Sequence, residues 1–157
     1  MAAPAPPAQP WLALARTVRF GDTDAAGVMH FHQLLRWCHE AYEESLERFG
    51  IEAGIVFPGA TAAAPAPAVA LPIVHCRADY RRPLRTGERL AIALEPRRLD
   101  PGCFEVVYGF SRQGEPVAEG LTRHQAITTA GPQRCALPEA IQRWLEASSL
   151  SGQVRPL

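Results

Sequence analysis

An α+β domain, with one long helix and about five antiparallel strands wrapped around one face of it, is the fold class this sequence predicts. Three observations lead there. The chain has 157 residues, 47% of them apolar, which is the size and make-up of one domain with its own core. Apolar residues recur at three- and four-residue steps through one long stretch, "FHQLLRWCHEAYEESLERFG", and at two-residue steps elsewhere. The order is strand, long helix, then about four strands, so the alternation of strand and helix that builds parallel sheets is absent.

Taken from the start, residues 1–10 ("MAAPAPPAQP") are Ala/Pro-rich with no apolar period. They are expected to form a flexible segment ahead of a single domain at 11–150, with 151–157 as a C-terminal tail. "LALARTVRF" reads as a strand, placing Leu12, Leu14, Val18 and Phe20 on one face with Arg16 as an interruption. After the polar stretch "RFGDTDAAGVMHF" a helix is expected to begin between Val28 and Phe31. Its apolar stripe would hold Phe31, Leu34, Leu35, Cys38, Tyr42, Leu46 and Phe49, and Gly50 is placed to stop it.

Residues 57–69 ("FPGATAAAPAPAV") predict a loop. Strands follow in "LPIVHCRADY", "ERLAIALEPRRL", "CFEVVYGFSR" and "PVAEGLTRHQAIT"; the third puts Phe104, Val106, Tyr108 and Phe110 on one face. "RTGE" and "RQGEP" supply turns. "LPEAIQRWLEASS" predicts a short final helix packing Ile141, Trp144 and Leu145, with Pro138 near its first turn. An open sheet of this size commonly protects its edges by pairing with a second copy of the chain.

Composition excludes several function classes. Lys+Arg and Asp+Glu are both 16, so no long-range field recruits nucleic acid or an anionic membrane. Cys38, Cys76, Cys103 and Cys135 are too far apart for a CxxC pair, and no basic-then-apolar leader opens the chain; four reduced thiols in a cytoplasmic protein are expected. No apolar run has the length of a membrane span. GxGxxG, GxxxxGK[ST] and GxSxG are all missing, so dinucleotide, nucleoside-triphosphate and serine-hydrolase chemistry lack their parts.

Asp22 and Asp24 are the leading site candidates, with two readings open. They could cap the following helix or form an Asx-turn. Alternatively, a carboxylate just before a helix start could face an acyl carbonyl polarised by unpaired first-turn amides, with Gly27 allowing close approach. His30 and His32 suit a metal shell poorly, because no third ligand follows at a known spacing, so no metal is expected. His30 as a general base ranks below Asp24. His39 is expected to pack or hydrogen-bond along the helix, and Cys38 to pack. All 16 positive side chains are arginine. Arg77, Arg81, Arg82 and Arg85, with Arg97 and Arg98, could hold a phosphate-bearing ligand along a strand edge, although surface charge explains each singly.

"FGDTDAAGVMHFHQLLRWCHEAYEESL" resembles the opening motif of hotdog-fold acyl-CoA thioesterases of the 4-hydroxybenzoyl-CoA type, and within them most closely the cyanobacterial group that hydrolyses 1,4-dihydroxy-2-naphthoyl-CoA. The likeness in element order runs from Leu12 to about Thr128. It implies a central helix wrapped by a five-stranded antiparallel sheet, a homodimer or homotetramer, and active sites between subunits. By that resemblance the catalytic carboxylate falls on Asp24, the backbone N–H that polarises the thioester carbonyl on Phe31, and the loop beside the substrate on Gly27 and Val28, while Asp22 looks structural. A related branch has histidine at the place of Phe31 and tyrosine at that of His30; the departure leaves the backbone donor intact.

The function implied is hydrolysis of an aryl-CoA, 1,4-dihydroxy-2-naphthoyl-CoA, for phylloquinone or menaquinone synthesis. No cofactor is expected, because coenzyme A arrives in the substrate and leaves as product. Trp37 and Tyr42 are candidates for the aryl pocket or the core. A short-chain or carrier-protein thioesterase, or a noncatalytic acyl-CoA-binding module, is the alternative.

Overall fold

The computed structural model describes residues 9–59 and 66–149. The expected flexible segment up to residue 8, the centre of the Ala/Pro loop (60–65) and the tail at 151–157 lie outside the described residues. In chain order the elements are β1 (Ala13–Thr17), α1 (Phe31–Phe49), a four-residue α2 (Ala53–Val56), β2 (Val69–Ala70), β3 (Ile73–Tyr80), β4 (Arg89–Asp100), β5 (Cys103–Arg112), β6 (Glu115–Gln125), β7 (Ile127–Thr128) and α3 (Glu139–Ser149). Strands β1-β4-β5-β6-β3 form one antiparallel sheet in that order, and β2 pairs with β7. The predicted architecture is present.

Helix α1 buries Leu34, Trp37, Cys38, Ala41, Tyr42 and Leu46 at the predicted spacing. It ends in a Schellman arrangement: Gly50 sits at φ 102°, its N–H bonds to Glu47 O (3.0 Å), and Ile51 N–H reaches Leu46 O (2.9 Å). Ile51 and Leu46 are both buried, completing the apolar contact that accompanies this motif. Against the helix stand Leu90, Ile92 and Leu94 of β4 and Phe104, Val106, Tyr108 and Phe110 of β5, all buried. On β6 the facing position is Gly120; a Cβ there would lie 2.4 Å from Cys38 Sγ, so only glycine lets the helix settle at this height. Burial raises the Cys38 thiol far above its ordinary range, in keeping with a packing role.

Helix α3 extends the core with Ile141, Trp144 and Leu145, as predicted. Its polar atoms are tied down: Trp144 Nε1 donates to Ser45 Oγ of α1 (3.0 Å), and Trp11 Nε1 to Ser148 Oγ (3.1 Å). Between β5 and β6, Gln113 (φ 51°) and Gly114 (φ 82°) both take positive φ, the signature of a two-residue hairpin turn that matches strand twist.

Four expectations need correction. Phe20 does not share the buried face of β1; it is 84% exposed, because a 3-10 turn at Phe20–Asp22 breaks the two-residue period. Phe31, at the angle of the helix stripe, is 71% exposed, because a cavity lies beside it at the helix start in place of a strand. Leu35 and Phe49 are only half-buried, and Trp37 and Ala41 fill the stripe. The last predicted strand is two, interrupted at Ala126, whose N–H turns to Gly102 O (2.8 Å).

His124 is buried on the inner face of β6, stacked on Phe104 with ring centroids 4.7 Å apart. Its Nε2 is 2.9 Å from Thr122 Oγ1, which is 2.9 Å from the Tyr108 hydroxyl, and its Nδ1 is 3.3 Å from Leu71 O. Of the two neutral tautomers only the one with the proton on Nδ1 makes every bond: Tyr108 donates to Thr122, Thr122 donates to Nε2, and Nδ1–H donates to Leu71 O. Burial lowers the ring to about 4, from 6.5. The unfolded chain therefore binds this proton first, and the stability owed to neutral His124 is complete above pH 6.5 and lost as pH falls towards 4, by about 3 kcal/mol. Urea unfolding across that range should show the loss, and His124→Gln should flatten the pH slope relative to the parent.

Candidate active site

The polar stretch after β1 is a miniature hairpin. Asp22 O accepts from His30 N–H (2.8 Å), Asp24 N–H donates to Val28 O (2.9 Å), and Gly27 N–H donates to Asp24 O (3.0 Å). Gly27 closes the turn at φ 77°, a conformation that costs an L side chain about 1 kcal/mol or more. Met29 N–H then bonds to Leu84 O at 2.7 Å, fastening the loop to the segment that follows β3.

The two aspartates separate by their partners. Asp22 Oδ2 accepts from Arg19 N–H at 2.8 Å and so caps the 3-10 turn. Asp24 Oδ1 accepts from Ala26 N–H at 2.8 Å, which fixes the carboxylate's orientation; Oδ2 has no hydrogen-bond partner among the described residues, and the side chain is exposed.

Helix α1 begins with similar economy. His30 is its N-cap: Gln33 N–H donates to His30 O (3.0 Å) and His32 N–H to His30 Nδ1 (3.4 Å). Phe31 N–H makes no hydrogen bond among the described residues, leaving a donor at the positive end of a 19-residue helix.

Asp24, Val28, Met29 and Phe31 line one side of a cavity of about 400 Å³, and Tyr80, Arg81, Arg82, Pro83 and Leu84 line the other. The structure thus gathers Asp24, Phe31 and Val28. Gly27 shapes the turn without lining the cavity. One apolar-walled cavity is thus lined by a carboxylate with an open oxygen and by a helix-start residue whose N–H is unpaired among the described residues, the two kinds of group that acid–base or nucleophilic attack on a carbonyl calls for. Trp37 and Tyr42, for which the sequence left pocket and core both open, are in the core. The rings of His30 and His32 contact each other, His39 Nδ1 pairs with Glu43 (2.8 Å), and no group of three or more His, Cys, Asp or Glu among the described residues is placed to hold a metal ion.

The arginines divide as well. Arg77 bridges Asp79 (2.8 Å) and Glu119 (2.9 Å), Arg97 pairs with Glu95 (3.4 Å), and Arg98 reaches Asp100 O (3.4 Å). Arg82 has a 3.4 Å contact to Glu115, while Arg81 and Arg85 have no ion pair among the described residues. Tyr80, Pro83 and Leu84 were missed by sequence reasoning, since about fifty residues separate them from Asp24 and Phe31 and no local pattern reports that meeting.

Residues 18–145 match the thioesterase-like superfamily. The 1,4-dihydroxy-2-naphthoyl-CoA hydrolase of Parasynechococcus marenigrum is 61% identical over 147 residues, covering 94% of this chain and 96% of the relative. A crystal structure from Prochlorococcus marinus strain MIT 9313 superposes with a TM-score of 0.85 at 57% identity, covering 88% and 96% of the two chains. The 1,4-dihydroxy-2-naphthoyl-CoA thioesterase of Synechocystis superposes with a TM-score of 0.73 at 28% identity, covering 85% and 94%.

The capping geometry predicts that Asp22→Asn, which retains a side-chain acceptor, keeps both fold and activity. Asp22→Ala should lose about 1 kcal/mol of stability, read by denaturant unfolding.

Proposed function

The chain belongs to the thioesterase-like superfamily, and from that premise we propose that it hydrolyses 1,4-dihydroxy-2-naphthoyl-CoA to 1,4-dihydroxy-2-naphthoate and coenzyme A, serving phylloquinone or menaquinone synthesis. The observation that carries the chemistry is the shared cavity of Asp24 and Phe31. The names of the close relatives carry the substrate.

In this reading the thioester oxygen accepts from Phe31 N–H, which stabilises the negative charge that grows there as the carbonyl is attacked. Asp24 Oδ2 supplies the attack in one of two ways. As a nucleophile it bonds to the carbonyl carbon, expels the coenzyme A thiolate and leaves a mixed anhydride that water opens. As a general base it takes a proton from the water that attacks. The thiolate is a good leaving group, so neither route requires a strong acid. The cavity lies within the roughly 300–1,000 Å³ of small-molecule sites, and Phe31, Tyr80, Val28 and Leu84 offer apolar surface to an aryl ring. Arg81, Arg82 and Arg85 are the arginines best disposed to meet coenzyme A phosphates, because their ion pairing is weak or absent. Coenzyme A is substrate here, and no resident cofactor enters the reaction.

The chain acts as a homodimer or homotetramer with its active sites between subunits. Strand β3 supports this: it is a sheet edge exposed along nearly its whole length, with Ile73 and Val74 open to solvent and Tyr80 at the cavity. A partner along that edge would satisfy its backbone and cover apolar side chains. The cytoplasm is the compartment that suits four free cysteines. No helix among the described residues is long and apolar enough to cross a membrane.

Asp24→Asn should remain folded and release thiol from the aryl-CoA on the order of 10²–10⁴ times more slowly than the parent; a folded variant with the parent rate would remove Asp24 from the mechanism. A panel with aliphatic and carrier-linked thioesters tests the substrate, and saturable binding without thiol release would mark a noncatalytic module. In a single turnover in ¹⁸O-water, ¹⁶O in the acid with ¹⁸O in the Asp24 carboxylate marks Asp24 as the nucleophile, with water opening the anhydride at the aspartyl carbon. ¹⁸O in the acid is common to the general base and to opening at the acyl carbon, and trapping the anhydride with hydroxylamine separates those two. Native mass measurement should give a dimer or tetramer, and a monomer active at the same concentration would refute intersubunit sites.

A further inference from the structure

The segment Tyr80–Leu84 grips the helix start at two points. Leu84 O accepts from Met29 N–H at 2.7 Å, and the Tyr80 hydroxyl donates to Phe31 O. Between these anchors lies the His30–Phe31 peptide, whose N–H is the proposed oxyanion donor. The N-cap does not hold that group, since His30 takes the amides of His32 and Gln33 and leaves Phe31 N–H unbonded among the described residues. A first-turn amide has no intrahelical bond to locate it, so its position depends on what restrains its neighbours. Met29 is restrained by backbone; on the Phe31 side the phenol of Tyr80 makes the contact from the sheet. Burial raises the Tyr80 phenol above its ordinary range, so it keeps its proton and stays a donor at neutral pH.

We propose that Tyr80 is a positioning residue for thioester hydrolysis: by hydrogen-bonding to the Phe31 carbonyl from the end of β3, it holds the Phe31 N–H in place opposite Asp24. Its ring separately forms cavity wall. The two roles come apart on substitution, because Tyr80→Phe keeps the wall and removes only the hydrogen bond. The proposal rests on the reading of Asp24 and Phe31 given above.

The test is Tyr80→Phe in the full chain, assayed with whichever acyl-CoA the parent hydrolyses best. Misplacing reacting groups by about 1 Å costs up to about a hundredfold, so losing the Tyr80 anchor, while Met29 N–H on Leu84 O and His30 N–H on Asp22 O remain, should lower kcat by about tenfold. KM should stay within about twofold and the unfolding midpoint should be nearly unchanged. A second reading uses a ketone analogue of the substrate, CH₂ replacing sulfur. Its bound carbonyl stretch should move back towards the solution frequency in Tyr80→Phe, a change that loss of stability alone would not produce. A parental kcat, or a fall in kcat accounted for by loss of folded protein, would overturn the proposal, as would an unshifted carbonyl stretch. Failure of the parent to hydrolyse any thioester would sink the hydrolase reading instead, and the carbonyl stretch of the bound ketone would still report on Tyr80.

Discussion

The approach of α1 to β6, Cys38 against Gly120, sets the height at which the long helix lies on the sheet. Interiors packed at crystal density have no slack to absorb an added methyl group at such a point. A helix is also stiff: Phe31 lies two turns from Cys38, roughly 10 Å at the usual rise, so a displacement at Cys38 would be carried to the helix start. The free amide of Phe31, the hairpin of Asp24 and the gripping segment Tyr80–Leu84 meet because the helix sits at this one depth. The glycine lies far from Asp24 in sequence and takes no part in the chemistry.

Polar groups are handled in two opposite ways. In the core, Tyr108, Thr122, His124 and Leu71 O form a hydrogen-bond chain with a single direction, each donor matched to one acceptor. An unmatched group there costs its full desolvation, and among the described residues the Tyr42 hydroxyl is the buried side-chain polar atom left in that position. At the mouth of the cavity the reverse holds: Asp24 Oδ2 and Phe31 N–H are left without partners among the described residues, in a place that water or a ligand can reach. An open valence is cheap where solvent can reach it, and these are the two groups that the proposed hydrolysis uses. Asp22, two residues earlier, shows the contrast, because its carboxylate accepts from Arg19 N–H.

Local pattern explains which parts could be read in advance. The two-residue alternation from Phe104 to Phe110 and the stripe through Leu34, Cys38, Tyr42 and Leu46 are read directly, because burial on one face leaves a period in the sequence. Gly50 reads as a stop and Pro138 as a start for similarly local reasons. Periodicity misleads at its ends: Phe20 and Phe31 continue an apolar period beyond the surface that would bury them, and the cavity beside Phe31 is what exposes it. Trp37 and Tyr42 illustrate the same limit in reverse. Their nearness to the motif in sequence left pocket and core both open, and the helix, turning 100° per residue, carries both into the core.

By itself the sequence determined the element order, the inward faces of the helix and sheet, and a glycine-closed acidic loop opening onto a helix; each depends only on neighbours within a few residues. The tertiary structure alone decided which aspartate keeps an open oxygen, which arginines are already paired, and that Tyr80 at the end of an edge strand bonds to the first residue of a helix 49 positions earlier. Those contacts depend on strand register and on the depth at which Gly120 seats the helix. Both are set by the packing of the whole core, which no single stretch of the chain encodes.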